Sequence, residues 1–423
     1  MKITIIRKEH EKLFSSQEIL VLICLLLSFM DFKLFSMHLM VLAFGVFCVL
    51  RTKLPAARGV IPACLLSLAL LLFWSGALLS PTVWVKRMVW PAAFLLGYGL
   101  VWTPNEESGA AQKRANVLLT LAAVGFLTHL LLNIYINWGN EATGRNTVDF
   151  WMNRTRAATG QAGLACVPLA YFVAYLAKNR KFWKKVPAFL AVVVIMYYNL
   201  TLGSRTLVLT LAVLLAVLLI VSFLRRKNEP GKRRGWLAVA GVVLALILLY
   251  ACNVWGIRDL IEESNLFIRL FENEEGGLRT SRWEYKLEYI KRMPRYLFGG
   301  GHIYKELGAY AHDVLLDTYD EAGILAFAAV IALLWDGVAK LIRMLGIKRL
   351  NYETKITFVL LYVSVFLTFA IEPIIAGEPW LLMTYCFFHG AVTGLINIFA
   401  KNTLPNLQAF HSNNNGSHNC EES

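Results

Sequence analysis

Long and nearly uncharged runs of apolar residues recur along this chain, and they restrict its fold more than any other feature. A helix of about 20 apolar residues has the length needed to cross the roughly 30 Å hydrocarbon core of a bilayer. The chain is 57% hydrophobic and only 17% charged, whereas soluble domains are about 45–50% apolar and about 25% charged. A soluble core could not hide a dozen such runs from water. The sequence therefore predicts an all-α, polytopic transmembrane helical bundle.

The apolar runs predict about 12 transmembrane helices. They lie near residues 18–31, 36–50, 59–79, 85–103, 116–137, 161–177, 186–202, 205–224, 236–254, 318–341, 356–375 and 380–398. Nine predicted spans fall within residues 1–254 and three within 318–398. Between them, residues 255–317 form one large, partly helical loop. The polar tail, residues 399–423, is predicted to be disordered because it contains too few apolar residues to bury.

The basic residues are distributed unevenly among the loops, and this asymmetry predicts the orientation. With a cytoplasmic N-terminus, 26 of the 42 Lys and Arg residues fall in cytoplasmic segments and 16 on the other side. Nine of those 16 lie in loop 255–317, and long loops contribute little to the positive-inside rule. Both termini are therefore predicted to be cytoplasmic. The flanking positions of the basic residues also explain the net charge of +14 without nucleic-acid binding.

The long loop carries helical signals of its own. Ser281 and Glu284 have the spacing of a capping box, in which each side chain binds a backbone N–H group at the start of a helix. The apolar stripe of this predicted helix consists of Trp283, Leu287 and Ile290. Pro294 and the glycines that follow it end the helix.

Arginines at predicted external helix ends are the first candidates for a functional site. Arg205 begins a predicted span, and Arg282 lies in the first turn of the loop helix with Lys286 one turn later. A guanidinium group binds phosphate oxygens with a planar fork, and the first turn of a helix favours an anion. The alternatives are an interfacial arginine that extends towards water and a solvated basic helix face.

His312 is the candidate proton acceptor. On a continuous helix Gly323 would lie about 20° from His312, with Tyr319 and Ala326 on the same stripe. Small residues on such a stripe allow a neighbouring helix to approach closely. A histidine is neutral near pH 7 and suits general-base catalysis. The alternative is a structural histidine at the membrane edge.

Further charged residues lie in the other predicted external segments. The basic residues, which would enlarge a site for an anionic lipid, are Lys86, Arg87, Arg145, Arg154 and Arg156. Glu372 and Glu378 occupy the last external turn and would pair with an arginine or act as a base. The sequence has no nucleotide-binding glycine loop, zinc motif or Asp-Asp pair. We therefore expect no metal or cofactor, and a donor delivered by a lipid.

The motifs between residues 201 and 326 together resemble the O-antigen ligase and O-antigen polymerase superfamily of bacterial membrane glycosyltransferases. The family pattern is His, then Asn, Ser or Gln, nine residues, Gly, two residues, and a small residue or Tyr. His312 and Gly323 keep this spacing, whereas Asp313 and Ala326 depart from it mildly. Arg205 matches an arginine that opens a span after a Thr- and Ser-rich turn. Arg282 matches an arginine that begins an amphipathic loop helix.

The resemblance implies a metal-independent enzyme of the bacterial inner membrane. It would transfer a glycan from an undecaprenyl diphosphate carrier to a hydroxyl group of an acceptor glycan, lipid or protein. Arg205, Arg282 and His312 would be catalytic, with His312 acting as the base or orienting the acceptor. The substrate-binding set would comprise Lys86, Arg87, Arg154, Arg156, Lys286, Asp313, Tyr319, Gly323 and Glu372. The alternatives are a polysaccharide polymerase, a transporter or flippase of small anions or lipid-linked glycans, and a membrane scaffold.

Overall fold

The computed structural model consists almost entirely of helices. It describes residues 13–51, 57–73, 81–103, 107–138, 146–151, 155–178, 181–226, 251–253, 256–264, 267, 282–375 and 377–401. Across this described part the chain is 82% helical with almost no strands. The predicted all-α class is therefore confirmed.

The helices follow one another with short connections. They are α1 (Ser16–Phe29), α2 (Ser36–Leu50), α3 (Ile61–Phe73), α4 (Pro81–Val101), α5 (Ser108–Asn137), α6 (Ala158–Leu176), α7 (Phe182–Thr201), α8 (Arg205–Arg226), α9 (Ile257–Glu262), α10 (Arg282–Arg292), α11 (His302–Leu307), α12 (Val314–Gly346), α13 (Tyr352–Ile371) and α14 (Pro379–Lys401). A small antiparallel hairpin of β1 (Asn146–Val148) and β2 (Thr155–Ala157) lies between α5 and α6.

Eleven of the predicted spans coincide with a described helix, and the span at 236–254 lies almost wholly outside the described residues. Five helices, α5, α6, α12, α13 and α14, are long and apolar enough to cross a membrane. Shorter apolar helices are found at α1, α2, α3 and α8. The number of spans remains a prediction. The loop helix that the sequence predicts to open near Ser281 does begin at Arg282, although Ser281 itself lies outside the described residues.

Glycines allow the close packing of α4 against α14. A Cβ atom on Gly97 would lie 1.9 Å from the carbonyl oxygen of Phe387, and one on Gly390 would lie 1.9 Å from that of Phe94. Both contacts are with backbone atoms, so neither can be relieved by a side-chain movement. The two helices therefore touch backbone to backbone, as small residues permit in membrane bundles.

Ionic contacts join helix ends at both ends of the bundle. Glu18, in the first turn of α1, pairs with Arg51 at 2.9 Å and with Arg114 at 3.1 Å. These contacts bring together the start of α1, the end of α2 and the start of α5. The opposite end contains the start of α8, the end of α13 and the start of α14, and we call it the site end. The candidate functional residues lie there.

The helix α12 is broken near its first third. Ala322 (φ −140°) and Gly323 (φ +76°) depart from helical geometry, and the N–H group of Ile324 donates to the carbonyl oxygen of Leu297 at 2.9 Å. A Cβ atom on Gly323 would lie 2.4 Å from that same oxygen. Gly323 is therefore needed because the loop turn that begins at Leu297 docks into the break.

The helical stripe predicted from His312 to Ala326 is wrong. His312 precedes α12 and has a left-handed backbone with φ +55°, and Asp313 caps the helix by accepting from the N–H group of Leu315 at 3.0 Å. The 100° rule assumes uninterrupted helical geometry. Here a capping residue delays the start of the helix, and Gly323 interrupts it.

Candidate functional site

A buried carboxylate, Glu372, is the point where three separate elements meet at the site end. It follows α13, and only 1% of its side chain is exposed. Thr206, in the first turn of α8, donates its hydroxyl to Glu372 Oε1 at 2.7 Å. Arg282 Nη2 and His312 Nδ1 each lie 3.8 Å from Glu372 Oε2. We call Thr206, Arg282, His312 and Glu372 the Glu372 cluster.

Both ion pairs in this cluster are loose. An N–H···O hydrogen bond normally spans 2.7–3.2 Å, so a separation of 3.8 Å retains charge attraction without a hydrogen bond. Glu372 Oε2 and His312 Nδ1 are both buried atoms without a hydrogen-bond partner. A carboxylate with this geometry can move towards either the arginine or the histidine when a ligand arrives.

The carboxyl end of α13 holds α10 in place. Arg282, the first residue of α10, donates from Nη1 to the carbonyl oxygen of Ile371 at 2.8 Å. Lys286, one turn later, donates to the carbonyl oxygen of Ala370 at 2.7 Å and pairs with Asp313 at 3.2 Å. The last carbonyl groups of a helix lack partners within the helix and carry partial negative charge, so they attract cations.

Strain in the backbone marks His312. A residue other than glycine with positive φ is uncommon, and such conformations concentrate at functional sites because the surrounding structure must hold them. The cap that Asp313 forms on α12 fixes the next residue along the chain. The turn directs the His312 ring towards Glu372.

The sequence predicts that Arg205, Arg282 and His312 lie together, and the structure brings two of them to one carboxylate. Arg205 is the first residue of α8 and immediately precedes Thr206, which contacts Glu372. Arg205 therefore adjoins the same cluster along the chain. Sequence reasoning assigned no role to Thr206, although its position beside Arg205 was a usable signal.

A second ionic cluster surrounds Arg156 at the same end of the bundle. The Arg156 guanidinium lies 3.1 Å from Asp31, 3.0 Å from Asp149 and 3.5 Å from Glu378. His129 Nε2 lies 3.0 Å from Asp149. We call these five residues the Arg156 cluster. It ties together the α1–α2 connection, the hairpin, α5 and the α13–α14 connection, so Arg156 already binds carboxylates rather than an open substrate site.

Burial alters the proton affinity of this second cluster. It raises the pKa of Glu378 from 4.5 to about 7, and Arg156 opposes that rise. Burial also raises the pKa of Asp31, again against the attraction of Arg156. One arginine faces three carboxylates, so a proton on Glu378 relieves the excess negative charge.

The other predicted basic residues do not form one site with Arg282. Lys86, in α4, interacts electrostatically with Glu321 and Glu378 and so lies near the Arg156 cluster. Arg87 is fully buried, and its guanidinium carbon lies 5.9 Å from the ring centre of Trp84. The remaining predicted residues, Arg145 and Arg154, lie outside the described residues.

Tyr319 and Gly323 support the loop rather than the Glu372 cluster. The buried Tyr319 donates its hydroxyl to the carbonyl oxygen of Met293 at 2.6 Å. Gly323 contacts the backbone of Leu297 and Phe298. Asp320, between them, accepts from the N–H group of Ile303 at 2.8 Å. These contacts fasten the loop segment after α10 to α12 and thereby fix the height of α10.

No family model matches the chain, and no curated protein matches it. The functional argument therefore depends on the residues themselves. It combines the ordered motifs at Arg205, Arg282 and His312 with the geometry around Glu372.

Proposed function

We propose that this chain is a membrane glycosyltransferase that moves a glycan from an undecaprenyl diphosphate carrier to an acceptor hydroxyl group. The observation that carries the proposal is the convergence of Thr206, Arg282 and His312 on the buried carboxylate of Glu372. An arginine, a histidine and a carboxylate in one place supply anion binding and proton transfer together. The motifs that resemble the O-antigen ligase superfamily include two of these residues.

The proposed topology has 12 spans, with both termini in the cytoplasm of a bacterial cell and the site end outside. It rests on the distribution of 26 and 16 basic residues between the two sides. A cysteine placed at Asn273 should react with an impermeant reagent added outside, and one placed at Lys232 should not. The reverse labelling would put the Glu372 cluster in the wrong compartment for a lipid-linked glycan donor.

Arg282 is the proposed ligand of the donor diphosphate, with Arg205 as the second arginine. Its guanidinium is partly exposed, with 26% of the side chain accessible, so it combines a fixed position with access to a ligand. Negative charge develops on the diphosphate as the glycan departs, and a fixed cation stabilises that charge in the transition state. This step requires no metal.

His312 is the proposed base. If its Nδ1–H group faces Glu372, Nε2 is the ring atom that accepts a proton. The acceptor oxygen then bonds to the anomeric carbon and its proton passes to Nε2. The bond from that carbon to the diphosphate oxygen breaks, and the electron pair leaves with the diphosphate. A single displacement of this kind inverts the anomeric centre.

The central experiment measures donor binding and transfer separately in a reconstituted assay with a defined undecaprenyl diphosphate glycan. His312→Ala should bind the donor as the parent protein does, while transfer falls by roughly 10²–10⁴ for a lost general base. Arg282→Lys keeps the charge but loses the planar fork. It should weaken donor binding and slow transfer together, because the contact serves both states.

Lys291→Ala is the matched control, because Lys291 lies on the same helix, is exposed and pairs with Glu288. It should bind and transfer as the parent does. Transfer by His312→Ala at the parent rate would remove His312 as the base and leave Asp313 or Glu372 for that role. Loss of activity on adding a chelator would remove the metal-independent mechanism. Supplying a lipid acceptor and a glycan repeat in parallel separates ligase from polymerase.

The break in α12 favours a second candidate, a transporter, because transporters use discontinuous helices to bind substrates. The sequence predicted no such break. The backbone groups at this break are occupied, however. Gly301 N–H donates to the carbonyl oxygen of Asp320 at 2.8 Å, and Ile324 N–H donates to that of Leu297. Uptake or flipping of a lipid-linked glycan by vesicles that hold the purified protein, without glycan transfer, would favour the transporter.

A further inference from the structure

The helix α10 has three different surfaces around its axis. At about 100° per residue, Arg282, Lys286 and Tyr289 fall within about 60° of one another. All three bind the rest of the protein through the carbonyl oxygens of Ile371, Ala370 and Ala309. Tyr289 is only 1% exposed. This sector faces the helical bundle.

A second sector is apolar and uncovered. Trp283, Leu287 and Ile290 also lie within about 60° of one another, centred roughly a quarter turn from the protein sector. Their exposed fractions are 67%, 54% and 53%. Three large apolar side chains on one exposed stripe are costly in water, since each apolar group buried against a partner is stabilised.

The third sector is charged. Glu284, Glu288 and Lys291 lie on the side of α10 away from the bundle, and Lys291 pairs with Glu288 at 2.8 Å. The order around the helix is therefore protein, apolar, charged. A helix that lies flat on a bilayer, beside a transmembrane bundle, has protein on one side, lipid beneath it and water above it.

We propose that α10 lies in the surface of the bilayer, with Trp283, Leu287 and Ile290 inserted among the acyl chains. Amphipathic helices of this kind bind with their apolar face at the boundary of headgroups and acyl chains. Tryptophan concentrates at that depth because its ring is amphipathic. The occupant of the exposed apolar sector is thus the lipid leaflet.

The apolar surface continues from α10 onto a neighbouring hydrophobic helix. Phe298 is 67% exposed, and its ring stacks on that of Phe73 with centroids 5.4 Å apart. Phe73 is the last residue of the apolar helix α3. The exposed stripe of α10 therefore leads towards the end of a helix that is itself apolar, where a membrane surface would begin.

Charge complementarity also favours a lipid surface. The segment 282–295 contains more cations than anions: the basic residues are Arg282, Lys286, Lys291, Arg292 and Arg295, and the acidic residues are Glu284 and Glu288. Basic residues beside an inserted apolar face attract anionic headgroups. The position of Arg282 gives the arrangement a consequence that rests on the proposed function. A diphosphate attached to a lipid in the same leaflet would meet Arg282 at headgroup depth.

The test places a genetically encoded fluorescent amino acid at Leu287 and, as the matched control, at Glu284, in the full-length protein in phosphatidylcholine vesicles. Brominated phosphatidylcholine quenches from the acyl region, and iodide quenches from water. We expect the bromolipid to quench the probe at Leu287 several-fold more than the probe at Glu284. Iodide should show the opposite order.

Quenching of both probes by iodide alike would overturn the proposal, because α10 would then stand in water. Protection of Leu287 from both quenchers would also overturn it, since a protein surface or a second copy would cover the stripe. If a probe at Leu287 prevents folding, Ile290 lies in the same sector and serves instead. The measurement needs no glycan transfer, so its result is independent of the proposed activity.

Discussion

Glu372 and Glu378 belong to the same short connection between α13 and α14, but they join clusters of opposite character. In the Arg156 cluster, the arginine lies within 3.0–3.5 Å of three carboxylates, and 11% of its side chain is exposed. In the Glu372 cluster, the arginine and the histidine both remain 3.8 Å from the carboxylate. Arg282 exposes 26% of its side chain and His312 exposes 24%.

The difference separates a structural role from a functional one. Charges that are buried and closely paired hold chain segments together, and they cannot bind a ligand without losing those contacts. Loosely paired charges that are partly exposed lose little when they turn to a substrate. The connection 372–378 therefore fixes the fold through Glu378 and presents a reactive group through Glu372. Each of the following variants tests one side of this contrast.

The largest expected effect is on stability, from Arg156→Met. Removing one partner of a buried ion pair leaves an uncompensated charge and typically costs about 3–5 kcal/mol. Arg282→Met removes one hydrogen bond from a charged donor, worth about 1.5–3 kcal/mol, and a loose pair. Unfolding of the two variants in the same detergent should therefore rank Arg156→Met as clearly less stable. Equal losses would mean that the two clusters do not differ in structural role.

The second prediction concerns pH. Below about pH 4.5 both the folded and the unfolded chain hold the proton of Glu378. Between about 4.5 and about 7 only the folded chain holds it, so the free energy of unfolding falls as the pH rises. The slope from one proton is at most about 1.4 kcal/mol per pH unit. Above about pH 7 neither state holds the proton, and this contribution is absent.

Glu378→Gln removes the titrating group and keeps a hydrogen-bonding side chain. We expect its unfolding free energy to depend less steeply on pH than that of the parent between pH 4.5 and 7. Asp31 and Asp149 remain in both proteins, so the difference between the two curves isolates Glu378. Parallel curves across that range would show that Glu378 is ionised in the folded protein.

The third prediction compares the two glutamates by activity. Glu372→Gln should leave donor binding near the parent value and slow transfer roughly 10–100-fold, since a hydrogen bond to a charged group contributes about 1.5–3 kcal/mol. Glu378→Gln should transfer at close to the parent rate at a temperature where it remains folded. The comparison fails if the two variants lose activity equally.

Much of the helical framework could be predicted because its signals are local. An apolar run of membrane length and the spacing of Ser281 and Glu284 depend only on neighbouring residues, and α10 begins where this spacing places it. The motifs at Arg282 and His312 also pointed to residues that meet at Glu372. These predictions needed residue types and spacing, not long-range contacts.

The Arg156 cluster had no such signal. Its partners Asp31 and Glu378 lie 125 and 222 residues away from Arg156 along the chain, and nothing local selects them among the other acidic residues. The same limit explains the error over His312. The helical stripe ignored the cap at Asp313 and the turn that docks at Gly323, and both depend on how the loop folds back on α12.

The smallest expected effect, from Thr206→Val, tests whether the Glu372 cluster acts as a unit. The Thr206 hydroxyl donates to Glu372 Oε1 at 2.7 Å, whereas the Thr210 hydroxyl, one turn later, donates to a carbonyl oxygen of its own helix at 2.8 Å. Both side chains are buried, and valine keeps their shape. A hydrogen bond of this kind contributes about 1 kcal/mol, so Thr206→Val should slow transfer roughly fivefold. Thr210→Val should leave transfer unchanged, and Thr206→Ser should restore it. Equal slowing by Thr206→Val and Thr210→Val would trace the loss to packing within α8 and not to the position of Glu372.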